Sequence, residues 1–321
     1  MALLWLIVTQ DFPPGFVGGV ASWCEDLAAA LHGAGEEVVV LARRTGKTRE
    51  VDALRPYEVV RMRGRSWGSW QGLWAAARGL LRLGRDVVVI AATWRLATGL
   101  APLARRAGTR LAIGFHGSEL TRQREPGPAF SRTVSAATAL LPVSPFLAAE
   151  LGRLGVVDRV HVLPWPIELE VPKDRGDGLL CVARDTPLKG VDRVRRLGAG
   201  LGLRVTVAQS QSRAEVLAMY NAHAACALLP RADEDGSGAE GFGVVLLEAA
   251  ARAVPAIGCR TGGVPDATGP GLLLEDPDEP DLELVHRFLA DPQAGARARA
   301  WIEKVHGQER ALAVLREALG V

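Results

Sequence analysis

Pro164-Trp165-Pro166-Ile167-Glu168, followed by polar, proline-bearing sequence to Gly178, interrupts an alternation that runs on both sides of it. Two prolines two apart can continue neither a helix nor a central strand, so the stretch reads as an interdomain linker. Before it, short runs rich in Val, Leu and Ile predict strands at 3–9, 37–42, 86–91, 110–115, 139–143 and 160–163. Segments of helical period fall between them, at 20–32, 72–83, 96–107, 128–137 and 145–154. After the linker the pattern restarts, with strands expected at 179–183, 204–208, 226–229, 256–258 and 271–274. Helices fit 192–200, 213–222, 243–253 and 281–289, and a longer one across 294–319 closes the chain. Apolar runs alternating with helices imply parallel sheets covered on both faces. The expectation is α/β: two Rossmann-like doubly wound domains in tandem, the first over residues 1–165. Ligands of such sheets bind outside the carboxyl ends of the strands.

Composition agrees. The 321 residues carry 38 basic and 36 acidic side chains, for a net charge of +2, with 48% hydrophobic and 23% charged residues. That is globular composition, and near-neutrality argues against a surface built to grip nucleic acid. The charge is not evenly spread: residues 1–165 hold 20 basic and 13 acidic side chains (+7), and 166–321 hold 18 and 23 (−5). Cys24, Cys181, Cys226 and Cys259 lie far apart in apolar neighbourhoods, as buried free thiols in a reducing cytosol would. The opening Leu3–Thr9 run is too short for a span or a secretory signal, so a cytoplasmic protein is expected.

Several familiar signatures fail on spacing or context. Gly46-Lys47-Thr48 lacks the first glycine of a P-loop, where Leu41 stands, and Gly198-Ala199-Gly200-Leu201-Gly202 follows a helix where a dinucleotide fingerprint follows a strand. Asp233-Glu234-Asp235 is a solvated acidic triplet, and no His/Cys spacing supports zinc; no metal site is expected.

The chemistry concentrates in Glu240-Gly241-Phe242-Gly243-Val244-Val245-Leu246-Leu247-Glu248. One carboxylate precedes a helix and a second lies eight positions on, a little over two turns along the same side. Phe242, Gly243 and Val244 would offer free N–H groups to ligand oxygens, and the glycines permit close backbone approach. Two carboxylates with free amides suit a hydroxyl-rich ligand. Arg184 and Lys189, five apart after the first strand of the second domain, form a diphosphate site. Gly262 and Gly263 follow another strand, and their amides could meet the same phosphates. In the first domain Gly18 and Gly19 precede the first helix, and His116, at a strand end in Phe115-His116-Gly117-Ser118-Glu119, would face the cleft.

Taken in order, F-P-P-x-x-G-G-V, the strand-end His, Arg-x4-Lys-Gly, E-x7-E and Gly-Gly-x-Pro-acid resemble the retaining glycosyltransferases of family 4, which share the GT-B fold. The resemblance implies that Glu240 contacts the donor sugar and Glu248 the ribose. It implies that Arg184 and Lys189 bind the diphosphate and stabilise it as it leaves. Gly18 and Gly19 would line the phosphate and acceptor region, with His116 near the reacting carbon. It further implies a GDP- or UDP-linked sugar donor, no metal or other cofactor, and transfer of a hexose with retention. The second domain would run over 166–300, with a last helix over 301–321 packing back on the first. The long 231–239 loop resembles that of mannosyltransferases of glycolipid synthesis. Pro164-Trp165-Pro166-Ile167-Glu168 and Gln209-Ser210-Gln211-Ser212 depart from the family pattern. A nucleotide-sugar epimerase of the same fold and a noncatalytic nucleotide-sugar-binding module are the alternatives.

For the acceptor, a sugar, lipid-linked or small molecule, Glu119, Arg65 and Trp67 are candidates. Arg61, Arg63, Arg65, Arg78, Arg82 and Arg85 surround Trp67, Trp70 and Trp74, with no acid between Arg61 and Arg85. Such a stretch suits an anionic lipid acceptor, or peripheral contact with the anionic inner face of a membrane. A core helix packed by its tryptophans, with solvated arginines, has the same pattern.

Overall fold

Leu4–Thr9 (β1) is buried at every position, the signature of a strand covered on both faces. The computed structural model describes residues 3–321 apart from 17, 47, 63–66, 82–85, 171–175 and 234–237; of 67–70 it describes the backbone. The first half continues with α1 (Gly19–Gly33), β2 (Glu37–Arg43), α2 (Arg49–Asp52), β3 (Glu58–Met62), α3 (Trp67–Leu81) and β4 (Val87–Ala91). It then runs through α4 (Trp94–Ala107), β5 (Arg110–Phe115), α5 (Ser118–Thr121), α6 (Pro128–Ser135), β6 (Ala139–Pro142) and α7 (Pro145–Arg153). Among the described residues its strands form one parallel sheet in the order β3-β2-β1-β4-β5-β6.

The second half holds β7 (Leu179–Val182), α8 (Val191–Leu201), β8 (Val205–Ala208), α9 (Arg213–Tyr220), β9 (Ala225–Ala227) and α10 (Val244–Ala250). It ends with β10 (Ala256–Cys259), α11 (Val264–Thr268), β11 (Leu272–Leu274), α12 (Leu282–Ala290), α13 (Ala294–Val305) and α14 (Gln308–Leu319). Its strands pair in parallel in the order β11-β10-β9-β7-β8. The four cysteines are buried and free. Among the described residues no helix is long and apolar enough to cross a membrane.

Three local expectations fail, and one strand is absent from them, for physical reasons. The 160–163 run makes only a bridge, Val160 to Leu140: Leu163 N–H still donates to Pro142 O at 2.9 Å, but Pro142 has no N–H to return the bond to His161 O. β3 escaped notice because it is a half-buried edge strand, in which Glu58 and Arg61 break the apolar run. The helix expected over 243–253 stops at Ala250, with Ala253 in the left-handed region at φ 58°. The helix expected over 294–319 is two helices, broken at Gly307, whose φ of 88° takes the chain out of α13.

That break matters for how the halves join. α13 packs on α10 in the second half, and α14 packs on α1 in the first, so the chain crosses back at 306–307. Trp165 holds the crossing: its N–H donates to His306 Nδ1 at 3.1 Å, and its carbonyl accepts from Gly307 N–H at 3.1 Å. Its indole N–H donates to Asp26 of α1 at 2.8 Å and its ring stacks on Phe242 at 6.2 Å. One apolar core runs without interruption from β1 through Trp165 and Phe242 to Leu319.

His306 must stay neutral to accept that bond, and burial pushes its pKa down to about 4 from 6.5. Above pH 6.5 neither folded nor unfolded chain protonates it. As the pH falls toward 4 the unfolded chain takes the proton first, so stability is lost on the acid side, by about 2 kcal/mol at pH 5. Burial raises Asp26 and Glu248, which act with the opposite sign, so a variant is needed to isolate the histidine. In urea denaturation at pH 7.5 and 5.0, His306→Gln is expected to lose about 2 kcal/mol less than wild type between the two pH values. Equal losses would remove the histidine from the account.

Candidate active site

A cavity of about 410 Å³ opens where the carboxyl ends of the two sheets face each other. The first half supplies Gly19 and Val20 at the start of α1 and His116–Glu119 and Arg122 after β5. The second supplies Arg184 and Lys189 after β7 and, after β9, Pro230, Arg231 and Gly238–Gly241, including Glu240. Each lies at a strand's carboxyl end, where doubly wound sheets place their ligands.

Lys189 Nζ pairs with Glu240 Oε2 on the cavity wall, joining two residues 51 apart in sequence. Gly190 follows in the left-handed region at φ 63°, and a Cβ there would stand 1.8 Å from Leu229 O. The glycine of Lys-Gly is therefore required by backbone contact. Arg231, also on the wall, is committed to Asp192 at 2.7 and 2.8 Å, and that pairing holds the Asp192 carboxyl well below its usual range. Arg184 and Arg122 make no ion pair among the described residues, and one comes from each half.

The two halves touch at the glycines of E-G-F-G. A Cβ on Gly241 would lie 2.2 Å from His116 O and 2.6 Å from Gly117 Cα. Ser144, which caps α7, donates its hydroxyl to Gly241 O at 2.8 Å, and Phe146 N–H donates to Asp266 Oδ2 at 2.9 Å. Gly262 and Gly263 do not line the cavity. They press beneath Glu240 and Gly241, where a Cβ on either would come within 2.2 Å of a carbonyl oxygen. Gly263 N–H donates to Glu240 O at 2.8 Å, so that amide holds Glu240 and is not free for a phosphate.

His116 has one defined tautomer. Its Nε2 stands 2.9 Å from Ala92 O, which can only accept, so Nε2 carries the proton and Nδ1 is bare. Nδ1 is buried with no partner among the described residues, and burial pushes the imidazole pKa down, so the ring is neutral. Trp23 packs edge-on to it at 4.8 Å. Glu119 lines the cavity, but it accepts from the His116 N–H and so braces the loop. Gly19 lines the cavity as well, and Gly18 stands just before it as the cap of α1.

Phe242, Gly243 and Val244 donate to no backbone carbonyl among the described residues. Phe242 is nevertheless buried against Trp165, and the seven-residue α10 begins only at Val244. Glu248 is not on the cavity wall. It is 5% exposed, accepts from Tyr220 Oη at 2.8 Å, and faces Arg213 at 3.5 Å; burial raises its pKa.

Of the basic stretch, Arg61 turns inward: it pairs with Asp52 at 2.8 Å and stacks on Phe12, supporting the first loop. Trp74 is a packing residue, donating to Leu96 O at 2.9 Å and lying against Gly99. Arg63, Arg65, Arg82 and Arg85, and the side chains of Trp67 and Trp70, lie outside the described residues. Among the described residues no three side chains gather as metal ligands.

Two family models cover the two halves: Glycosyltransferase Family 4 over residues 17–171 and Glycosyl transferases group 1 over residues 188–305. The chain is 28% identical over 357 residues to a GDP-mannose-dependent monoacylated alpha-(1-6)-phosphatidylinositol monomannoside mannosyltransferase of Corynebacterium glutamicum, covering 93% of each chain. Anabaena HepE, solved with UDP and glucose, matches 99% of both chains with a TM-score of 0.73 at 16% identity. Sucrose-phosphate synthase from Thermosynechococcus elongatus matches with a TM-score of 0.73 at 17% identity, covering 99% of this chain and 98% of its own. At such identities the structures speak for the fold alone: two Rossmann-like domains facing a cleft, the GT-B arrangement.

Proposed function

The chain belongs to the family 4 glycosyltransferases and is a sugar-transferring enzyme, and we propose that it moves a hexose, with retention and without a metal, from a nucleoside-diphosphate sugar to an acceptor hydroxyl. The Lys189–Glu240 pair on the cavity wall, which Arg184 also lines without an ion pair among the described residues, carries this reading. A diphosphate entering there takes Lys189 and Arg184, which neutralise it without a divalent cation. Glu240, released from Lys189, then accepts from hydroxyls of the donor sugar.

The reaction breaks the bond between the anomeric carbon and the phosphate oxygen. The electron pair leaves on the diphosphate, where the two cations meet growing charge and so act most strongly in the transition state. The acceptor oxygen attacks on the same face, and its proton passes to the leaving phosphate oxygen. His116 contributes a neutral ring that neither competes with the cations nor supplies a proton.

The Corynebacterium relative favours GDP-mannose as donor and a mannosylated phospholipid as acceptor. Arg122, a first-half cation with no carboxylate partner among the described residues, suits an acceptor carrying negative charge. A lipid-linked acceptor would bring the enzyme to the inner face of the membrane.

A thermal-shift series with GDP-mannose, UDP-glucose and ADP-glucose tests the donor. A ligand at about 100 times its dissociation constant adds about 2.7 kcal/mol, several degrees for a chain of this size. GDP-mannose is expected to give the largest shift. A larger shift with UDP-glucose would transfer the assignment to that donor, and no shift with any of the three would overturn the reading of the cavity.

A further inference from the structure

Arg213 opens α9, set in place by a capping box between Ser212 and Glu215. It comes from the second half, yet most of its charge is spent on the first. Its guanidinium meets Asp26 through two nitrogens, at 2.7 and 2.8 Å, and Glu25 at 3.1 Å, both on α1. A third carboxylate, Glu248 of α10, stands 3.5 Å from the same group. Tyr220 holds the other Glu248 oxygen, and Trp165 donates to Asp26, so a continuous chain of polar contacts crosses the seam from α10 to the linker.

The charges explain why one guanidinium is shared. Glu248 is buried and Asp26 largely so; the Asp26 charge disfavours ionisation of Glu248, and Glu25 disfavours that of Asp26. Arg55 neutralises Glu25 but not the buried pair. Arg252 also favours the Glu248 charge, but Arg213 is the cation that Asp26 and Glu248 share, and it favours ionisation of both. An ionised Glu248 accepts through both oxygens, whereas a protonated one turns one of them into a donor and accepts more weakly.

We propose that Arg213 is a positioning residue that couples nucleotide binding at Glu248 to the joining of the two halves through Asp26. This rests on the reading of Glu248 as the contact for the donor ribose. Arg213 touches neither substrate nor reacting atoms; it keeps Glu248 charged and aimed while α1 keeps Arg213 in place. Loss of Asp26 lets the guanidinium close the 3.5 Å gap to Glu248 Oε1, where it competes with a ribose hydroxyl.

Calorimetric titration with GDP and UDP decides it, on the full chain and five variants. Arg213→Ala is expected to weaken binding of the preferred nucleotide at least tenfold, and Arg213→Lys to recover a large part of that loss. Asp26→Asn is expected to weaken it at least threefold in the wild-type background and not at all when Arg213→Ala is already present. A merely structural role for Arg213 would leave the effect of Asp26→Asn unchanged between the two backgrounds, and that result overturns the proposal. So does nucleotide affinity in Arg213→Lys and Asp26→Asn indistinguishable from wild type, an outcome readable even if Arg213→Ala does not fold. Glu248→Gln separates the premise: unchanged affinity in that variant removes the ribose contact itself, whereas a loss there with none in the Arg213 variants removes only the coupling.

Discussion

Lys189→Ala is expected to lose sugar transfer by about 10²- to 10³-fold in kcat while the protein stays folded. The lysine side chain is 30% exposed, and its pair with Glu240 is of the half-solvated kind worth about 1 kcal/mol or less to stability. Its melting temperature should therefore move by only a few degrees. Catalysis is different, because the charge Lys189 faces grows as the anomeric bond breaks. A fixed, preorganised charge of this kind is worth about 3–4 kcal/mol in the transition state. Removing it also leaves Glu240 unpaired beside the incoming diphosphate, so nucleotide affinity should fall as well. Lys189→Arg keeps the charge and should retain more activity than alanine. Turnover near wild type in Lys189→Ala, measured with the best donor and any acceptor, would remove the diphosphate site from this position.

How much of this could be read from the chain depends on how local each feature is. The motifs that build the cavity wall are contiguous in sequence, and E-G-F-G, Arg-x4-Lys-Gly and the strand-end His come together at one cavity. Their spacing and residue types carry most of the chemistry. What escaped were contacts between distant residues. Arg213 and Asp26 are 187 apart, and His306 and Trp165 are 141 apart. No periodicity links such pairs, because their meeting is decided by how two separately folded halves join. The same holds for Ser144: a serine before a proline signals a helix cap, and nothing local says that its hydroxyl also donates to the Gly241 carbonyl. The glycines were legible only in half. Their presence announces close backbone approach, but for Gly262 and Gly263 the approaching backbone is the protein's own.

Gly241 offers the sharpest test of that distinction. A methyl group placed there would sit 2.2 Å from His116 O, 2.6 Å from Gly117 Cα and 2.9 Å from the His116 carbonyl carbon. All three are backbone atoms of the opposite half, and none can swing away as a side-chain tip could. The second half can keep its own structure, and the simplest relief is for the two halves to part. Gly241→Ala is therefore expected to bind GDP or UDP within about threefold of wild type, since Arg184 and Lys189 are undisturbed. Transfer should nevertheless fall at least 100-fold, because an error of about 1 Å between reacting groups suffices for that. Gly263→Ala is the contrasting variant. Its methyl would strike Gly241 O and Phe242 Cα, within the second half itself, at 2.2 and 3.0 Å. It should lose nucleotide affinity and thermal stability together with activity. If Gly241→Ala instead kept a third or more of wild-type turnover, the contact between the 116–117 and 240–241 backbones would not be the one in which transfer occurs, and catalysis would have to be assigned to a more open arrangement of the two halves.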